Sequence, residues 1–346
     1  MMPYSAELDF LAGKGLVFPD GTGVLENDAL LASDAIAMDA MPELSTTASA
    51  GIPAFMTSYV DPKLINVVFT PMRGADLGGE VKKGDWTTTN AIFPMIEVTG
   101  EVSSYGDWNN NGQVNLNPTF PDRQSYHYQV FAKWGERQLD MAGKARIQWA
   151  AGLRQAAALK LNKFQNQTYF YGIAGLRNYG YLNDPSLPAS IVPETKAAGG
   201  TGWTNATSVE MQHDVIALIN QLREQSGGIV DTDSNITIGL SPTSSGKLTI
   251  ANEYGKSALD MLKASYPNLR FVQAVEFGDV AGMTVQAMLA MAEDIDGQKT
   301  AEAAFTEKLR AHAVVTENSG WSQKMSQGTY GAIIYMPLGI ATMAGI

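Results

Sequence analysis

Hydrophobic and polar positions alternate along residues 76–124, and a period of two is typical of β-strands paired in a ribbon. The apolar middle of this segment, Ala91 to Ile96, lies between two Gly-Asp-Trp phrases that begin at Gly84 and Gly106. Gly, Asn and Pro residues mark the turns. A ribbon of this length has more apolar and aromatic side chains than it can bury on itself. We therefore expect it to pack against another surface.

The strongest helical pattern in the chain covers about residues 136–170. Apolar and small residues recur there at three- and four-residue steps, at Ala142, Ala145, Trp149, Leu153, Ala157, Leu161 and Phe164. A single helix of that length would be roughly 50 Å long. Residues 125–134 alternate and predict a strand directly before it. A long alanine-rich helix of this kind usually backs a sheet or forms a structural spine.

Residues 186–295 predict a separate α/β unit. Thr207 and Glu210 have capping-box spacing at the start of a helix, and Gly227-Gly228 follows its last apolar position. Further elements are predicted as strands at Ile236–Leu240, Leu269–Val275 and Met283–Ala292, with helical pieces over Gly246–Leu262.

The two ends of the chain have different patterns. Residues 305–346 predict strands at 308–316, 321–327 and 330–336, separated by Asn318-Ser319-Gly320 and Gly328. Near the other end, residues 64–70 predict a buried strand. Residues 1–50 predict an arm with one weak helical patch near 27–38, since such a segment rarely forms a core alone.

Composition and charge narrow the class of protein. Of 346 residues, 45% are hydrophobic and 17% charged, which favours a packed globular chain, and the lack of cysteine excludes disulfides and thiolate metal sites. The net charge of −11 argues against a free nucleic-acid binder. Residues 1–50 hold eight acids and one base, net −7, whereas residues 131–170 hold seven bases and two acids, net +5. These regions either meet, within or between chains, or are two solvated surfaces.

Motifs for catalysis, cofactors or metals do not emerge from the sequence. The three histidines, His127, His213 and His312, have no His or Cys partner at ligand spacing. The segment from Asp231 departs from a calcium loop at its sixth and twelfth positions, and that around Lys247 departs from a phosphate loop. The N-terminus does not have the pattern of a signal peptide, and no apolar run approaches the roughly 18 residues of a membrane span.

Three blocks of the sequence resemble major capsid proteins of tailed bacteriophages, most closely a phage and prophage group long described as a domain of unknown function. The blocks are Val60 to Gly112, Arg123 to Gly143 and Leu161 to Pro185. The resemblance implies an α+β protein with the capsid fold of the Hong Kong phage type. It further implies an N-terminal arm at 1–50, an extended loop at 76–124, an axial domain at 186–295, and a peripheral domain at 51–75, 125–185 and 296–346 with a spine helix at about 136–170.

The same resemblance implies which residues lie between subunits. The extended loop would pack on the peripheral domain of a neighbouring copy. The expected contact residues are Lys82, Lys83, Trp86, Phe93, Tyr105 and Trp108. For the packing of the spine helix, the expected residues are Trp149, Leu153, Leu161 and Phe164.

A capsid subunit would be a structural protein without catalytic activity or cofactor. The resemblance implies hexamers and pentamers of an icosahedral head that encloses double-stranded DNA, assembled in the bacterial host cytoplasm and located in the virion. A separate scaffolding protein, a portal and a decoration protein are expected partners, with weak, nonspecific DNA contact and no membrane. Two alternatives remain open: an encapsulin-like compartment shell with a protein cargo, and a soluble enzyme or ligand-binding protein that uses residues 186–295.

Overall fold

A computed structural model describes residues 71–144, 148–278 and 286–346. The predicted arm at 1–50 and the predicted strand at 64–70 lie outside the described residues. The helices are α1 Gly74–Gly78, α2 Glu136–Lys144, α3 Trp149–Tyr171, α4 Ser208–Gln225, α5 Pro242–Leu248 and α6 Ala258–Ser265, with 3-10 turns at Val275–Phe277 and Pro337–Gly339. Helices and sheets are both extensive, which confirms the predicted α+β class.

The strands form two four-stranded sheets and several two-stranded ladders. In chain order the strands are β1 Glu80–Lys82, β2 Asn90–Ile92, β3 Met95–Gly100, β4 Val114–Thr119, β5 Asp122–Gln124, β6 Tyr126–Gly135, β7 Ile236–Leu240, β8 Leu269–Gln273, β9 Ala287–Ala292, β10 Asp294–Ile295, β11 Gln298–Lys299, β12 Ala301–Glu317, β13 Gly320–Ile334 and β14 Ile340–Ala344. The predicted strands at 125–134 and 236–240 are confirmed within one residue.

The first sheet has the order β1-β12-β13-β6, and α3 packs on one of its faces. Side chains at alternate positions of β6 and β13 face this helix because the side-chain period of a strand is two. Their core contains Ala132, Trp134, Ala157, Leu161 and Met325. Of the two roles that the sequence left open for the long helix, α3 therefore has that of backing a sheet.

The predicted continuous helix over 136–170 is wrong, because two helices occupy it. Gln148, directly before α3, has φ −82° and ψ 70°, which lies outside the helical region. The 23 residues of α3 extend about 35 Å. Apolar spacing continues across the break, so periodicity alone does not reveal it.

The strands predicted separately at 321–327 and 330–336 are one strand, β13, with Gly328 inside it. A Cβ at Gly328 would lie 2.0 Å from Thr306 Oγ1. Gly331, three residues on, has φ +73° at an irregularity in the pairing with β12. The glycines thus serve close packing and local backbone geometry, and they do not end the strand.

The second sheet has the order β14-β9-β7-β8 and packs against α4. The predicted capping box is confirmed: Thr207 Oγ1 accepts from the Glu210 backbone N–H, and the Glu210 carboxylate accepts from the Thr207 N–H. β14 pairs antiparallel with β9. The last strand of the chain therefore belongs to the α/β sheet, although the sequence division grouped residues 296–346 with the peripheral domain.

The ribbon consists of two consecutive ladders, β2 with β5 and β3 with β4. β1, before it, pairs in parallel with β12, so the ribbon starts from the edge of the first sheet. On the return, β5 leads through Ser125 into β6 on the far side of that sheet. Both ends of the ribbon therefore join edge strands of the same sheet.

Candidate assembly surface

The outer ladder of the ribbon has one apolar face and one polar face. The register places Ile96 opposite Pro118, Val98 opposite Leu116 and Gly100 opposite Val114. Because directly opposed residues share a face, these side chains form one apolar stripe. The other face carries Met95, Glu97, Thr99, Asn115, Asn117 and Thr119.

No part of the described chain covers this apolar stripe. Val98 keeps 71% of its surface exposed and Leu116 keeps 63%. Every residue of β3 and β4 is exposed. Contiguous apolar surface of this kind marks an interaction site on most proteins, because leaving it in water costs about 25 cal/mol per Å².

The tip of the ribbon presents two aromatic side chains to solvent. Trp108 is 99% exposed and Tyr105 is 93% exposed. The tip nevertheless has internal hydrogen bonds: Asn109 N–H donates to the Gly106 carbonyl at 2.9 Å, and Tyr105 OH donates to Asp107 Oδ1 at 2.9 Å. A short turn therefore presents both rings outward. These are two of the aromatic residues that the sequence proposed as contacts.

Trp86 and Phe93, the other two aromatic candidates, lie at the base of the ribbon and contact their own chain. The ring centroids of Trp86 and His127 lie 4.8 Å apart, and the Arg310 guanidinium lies 5.1 Å from the indole centroid. Phe93 packs edge-on against Tyr335 at 6.0 Å. Both rings thus hold the base of the ribbon, and their contact with a neighbouring copy stays a prediction.

The two candidate lysines differ in their surroundings. Lys82 is exposed on β1. Lys83 is half-buried, with Nζ 3.9 Å from Glu302 Oε2 and 5.7 Å from the Tyr335 ring centroid. In the turn that follows, hydrogen bonds from Thr87 and Thr88 lower the pKa of Asp85 to about 2. Lys82 is therefore the freer of the two lysines for a partner.

The four predicted helix-packing residues do not behave alike. Leu161 is 1% exposed in the core beneath the first sheet, and Leu153 packs partly against that core. The Phe164 ring lies 4.6 Å from the Tyr128 ring. Trp149, at the first position of α3, is 42% exposed. The first three face the sheet, whereas Trp149 lies mostly outside the core.

Two ion pairs hold β5, the strand by which the ribbon returns to the first sheet. The sequence did not predict either pair. Arg123 on β5 donates to Asp184 Oδ2 at 2.6 Å, and the side chain of Asp184 is fully buried. Arg177 contacts Asp122 at 2.7 Å in a more exposed pair. These partners are 61 and 55 residues apart, so neither pair has a local sequence signal.

The α/β unit contains a buried ion pair that is structural. Lys196 Nζ lies 2.5 Å from Asp214 Oδ2, and Trp203 Nε1 donates to the same oxygen at 2.6 Å. Both charged side chains are almost inaccessible to solvent, and their contacts tie the 196–203 loop to α4. In the described ranges, His, Asp and Glu form no group of three that could hold a metal ion.

The ribbon, the helix-backed sheet and the α/β unit together have the fold of solved phage-type capsid subunits. The capsid of Myoviridae phage XM1 shares this fold with a TM-score of 0.72 at 16% identity, over 86% of this chain and 100% of that chain. The capsid of the native GTA particle has a TM-score of 0.61 at 11% identity, over 87% and 99%. The Mycobacterium phage Ogopogo chain has a TM-score of 0.58 at 9% identity, over 86% and 100%.

The chain belongs to the family described as Pa193 gp26 major capsid protein, whose model matches residues 43–345. It is therefore a phage major capsid protein, and its copies form the capsid of a virion. No sequence among the curated proteins matches it significantly. The encapsulin-like alternative has less support, because the matching family is one of phage capsids. None of the described helices is long and apolar enough to cross a membrane.

Proposed function

We propose that this subunit assembles into hexamers and pentamers of an icosahedral head, with its ribbon packed on the peripheral domain of the neighbouring copy. The exposed apolar stripe of β3 and β4 carries the proposal. Burying a Val, Leu or Ile side chain contributes roughly 1.5–3 kcal/mol. Four such side chains offset much of the cost of association, which is of order 4–15 kcal/mol.

The stripe also suits the symmetry of a capsomer. It lies on an outstretched ribbon, so its partner surface is a different region of the next copy. Such a heterologous contact closes into a ring when the rotation between copies is a simple fraction of a turn. Five or six copies related in this way would form pentamers and hexamers from the same contact.

The head encloses double-stranded DNA, and the subunit does no catalysis. The subunit has a net charge of −11, so the inner surface of the head does not bind the phosphates of DNA strongly. Its contacts with DNA are therefore weak and independent of sequence. Assembly takes place in the cytoplasm of the bacterial host with a separate scaffolding protein. A portal and a decoration protein complete the particle.

Sedimentation velocity and negative-stain imaging of the purified chain test this proposal. Measured across protein concentration and salt, the chain should form rings, sheets or closed shells. Adding the scaffolding protein of the same phage should shift the products toward closed shells. A chain that stays monomeric at every concentration, also with that protein present, would overturn the proposal.

A further inference from the structure

The sequence contains a single Asn-Gly pair, Asn111-Gly112, which lies at the tip of the ribbon between β3 and β4. Asparagine is a thermally labile residue, because the backbone nitrogen that follows it can attack its side-chain amide. A following glycine has no Cβ to obstruct that attack. Both residues are exposed, so water and base reach them. The reactivity of the pair then depends on which hydrogen bonds hold the two reacting groups.

Neither reacting group of this pair is held by a hydrogen bond to the described residues. The side-chain amide of Asn111 and the backbone nitrogen of Gly112 have no partner among them. The backbone of Asn111 is fixed, in contrast: its N–H donates to Asn109 Oδ1 at 3.1 Å, and its carbonyl accepts from Ser103 Oγ at 2.7 Å. The main chain is thus anchored at residue 111, while the amide and the next nitrogen are free to react.

The two preceding asparagines each lack one of these conditions. Asn109 Nδ2 donates to the Ser104 carbonyl at 2.9 Å, so its amide is held in place. Asn110 would need the Asn111 nitrogen as its nucleophile, and that N–H is engaged by Asn109. Of these three residues, Asn111 alone combines an unheld amide, an unheld nitrogen and a following glycine.

The turn itself requires the glycine at position 112. Its φ is +90°, in the left-handed region that residues with a side chain rarely adopt. A Cβ there would also lie 3.0 Å from Ser103 Oγ and 3.2 Å from the Glu101 carbonyl oxygen. The conformation of the tip therefore retains the labile pair.

We propose that Asn111 is a site of self-modification that limits how long a free subunit remains competent to assemble. Base removes the proton of the Gly112 N–H, the nitrogen bonds to Asn111 Cγ, and the Cγ–Nδ2 bond breaks as ammonia leaves with a proton. Water then opens the resulting succinimide ring. Attack at Cγ gives aspartate, and attack at the backbone carbonyl carbon gives isoaspartate. The net reaction consumes water and releases ammonia, with no change of oxidation state.

Both products alter the tip beside the apolar stripe. Residues 95–119 contain three acids and no Lys, Arg or His, so a new carboxylate adds to like charge. Isoaspartate also adds a carbon to the main chain and converts the carbonyl that accepts from Ser103 into a free carboxylate. That bond lies next to the bond from the Glu101 N–H to the Gln113 carbonyl, which ends the β3–β4 ladder. The effect on assembly rests on the proposed function, whereas the modification does not.

Peptide mass spectrometry of the full chain, incubated in mildly alkaline buffer made with heavy-oxygen water, tests the chemistry. Conversion replaces the amide nitrogen with a heavy oxygen, and an isoaspartate-specific methyltransferase labels the isoaspartate product. Asn111 should convert at least about fivefold faster than Asn110, because a hydrogen bond of ordinary strength must break before the Asn111 nitrogen attacks. Equal rates at the two residues, or conversion without isoaspartate, would overturn the proposal.

Assembly after incubation tests the consequence. The parent and Asn111→Gln are each compared with their own fresh samples, so that any direct effect of the substitution cancels. Glutamine would have to close a larger ring, and this variant should therefore keep its half-assembly concentration. That of the parent should rise at least about twofold, as expected for an added exposed charge. An equal rise in Asn111→Gln would trace the loss to another change and contradict the proposed limit.

The outcomes separate this inference from the proposed function. If Asn111 converts and the incubated parent assembles as the fresh parent does, the limit on assembly competence is wrong. If the fresh parent assembles and Asn111 keeps its amide, the modification itself is wrong. If the fresh parent does not assemble, the proposed function fails, and the mass spectra alone decide whether Asn111 is modified.

Discussion

The Trp86 indole stands edge-on to the His127 imidazole, with ring centroids 4.8 Å apart and planes inclined by 78°. His312 flanks the same indole at 6.0 Å. His127 Nε2 also lies 3.2 Å from Thr306 Oγ1. Trp86 therefore joins the base of the ribbon to β6 and β12, two strands of the first sheet.

Trp86→Ala should lower the free energy of unfolding, because it removes the ring from this cluster. We expect a loss of about 1–3 kcal/mol, below the 3–5 kcal/mol of a fully buried aromatic, since Trp86 is only half-buried. Denaturant unfolding measures it. Trp108→Ala is the matched control and should leave unfolding unchanged, because that ring touches solvent. Equal losses in the two variants would contradict this assignment.

Lowering the pH should destabilise the cluster of Trp86, His127 and His312. Burial lowers the pKa of His127 below its ordinary value of 6.5, so the folded state prefers the neutral ring. A depressed histidine pKa contributes stability that is present above about pH 6.5 and is lost as the pH falls toward the folded-state value. Arg310, on β12, places its permanent positive charge 5.1 Å from the centroid of the same indole.

The unfolding temperature measured between pH 7.5 and pH 5 tests this dependence. His127→Gln keeps a polar group near Thr306 and removes the titration. The unfolding temperature of the parent should fall further than that of the variant as the pH is lowered over this range. If the unfolding temperatures of the two proteins change equally with pH, His127 does not contribute to the pH dependence of stability.

Leu161→Ala should destabilise the subunit by about 2–5 kcal/mol, because it leaves a cavity between α3 and the first sheet. Lys160→Ala, one position earlier on the solvent face, should change stability by less than about 0.5 kcal/mol. The midpoints of denaturant unfolding provide both changes in the free energy of unfolding, when the slope of free energy against denaturant concentration is unchanged. If the two variants unfold alike, α3 does not pack as described.

Val98→Asp should block assembly while the subunit stays folded, because it places a charge in the apolar stripe. Thr99→Asp adds the same group one residue on, on the polar face, and should assemble as the parent does. Sedimentation velocity distinguishes the two, and circular dichroism checks the fold. Assembly of Val98→Asp at parental concentrations would show that the stripe is not an interface.

Asp184→Ala should cost about 3–5 kcal/mol of stability, because it leaves the partly buried Arg123 guanidinium without its carboxylate. Asp122→Ala removes the partner of the exposed Arg177 and should cost at most about 1 kcal/mol. Thermal unfolding compares the two variants. Similar losses would mean that burial does not distinguish these pairs.

Local patterns predicted several elements correctly. The strand at 125–134, the capping box at Thr207 and the strand at 236–240 depend on side-chain period or on hydrogen bonds within one turn. The alternation of apolar and polar residues along β3 and β4 was also recognisable in the sequence. Assigning Ile96, Val98, Val114 and Leu116 to one face needed the pairing register, which sequence alternation does not provide.

Long-range partners were not predictable. The Arg123–Asp184 ion pair and the entry of β14 into the α/β sheet each join residues far apart in the chain. The break at Gln148 is local, yet apolar spacing continues through it. Trp86 and Phe93 resembled Trp108 in sequence, and only their neighbours in space distinguish them.

The sequence by itself indicated the class of protein through the resemblance of three blocks to phage capsid proteins. It also indicated the order of the elements and the excess of apolar surface on the ribbon, because these depend on short-range periodicity. The tertiary structure decided which of those apolar side chains remain without a partner. Burial depends on which distant strands become neighbours, and the chain brings them together only on folding. Trp86 consequently holds the base of the ribbon, while Trp108 remains exposed at its tip.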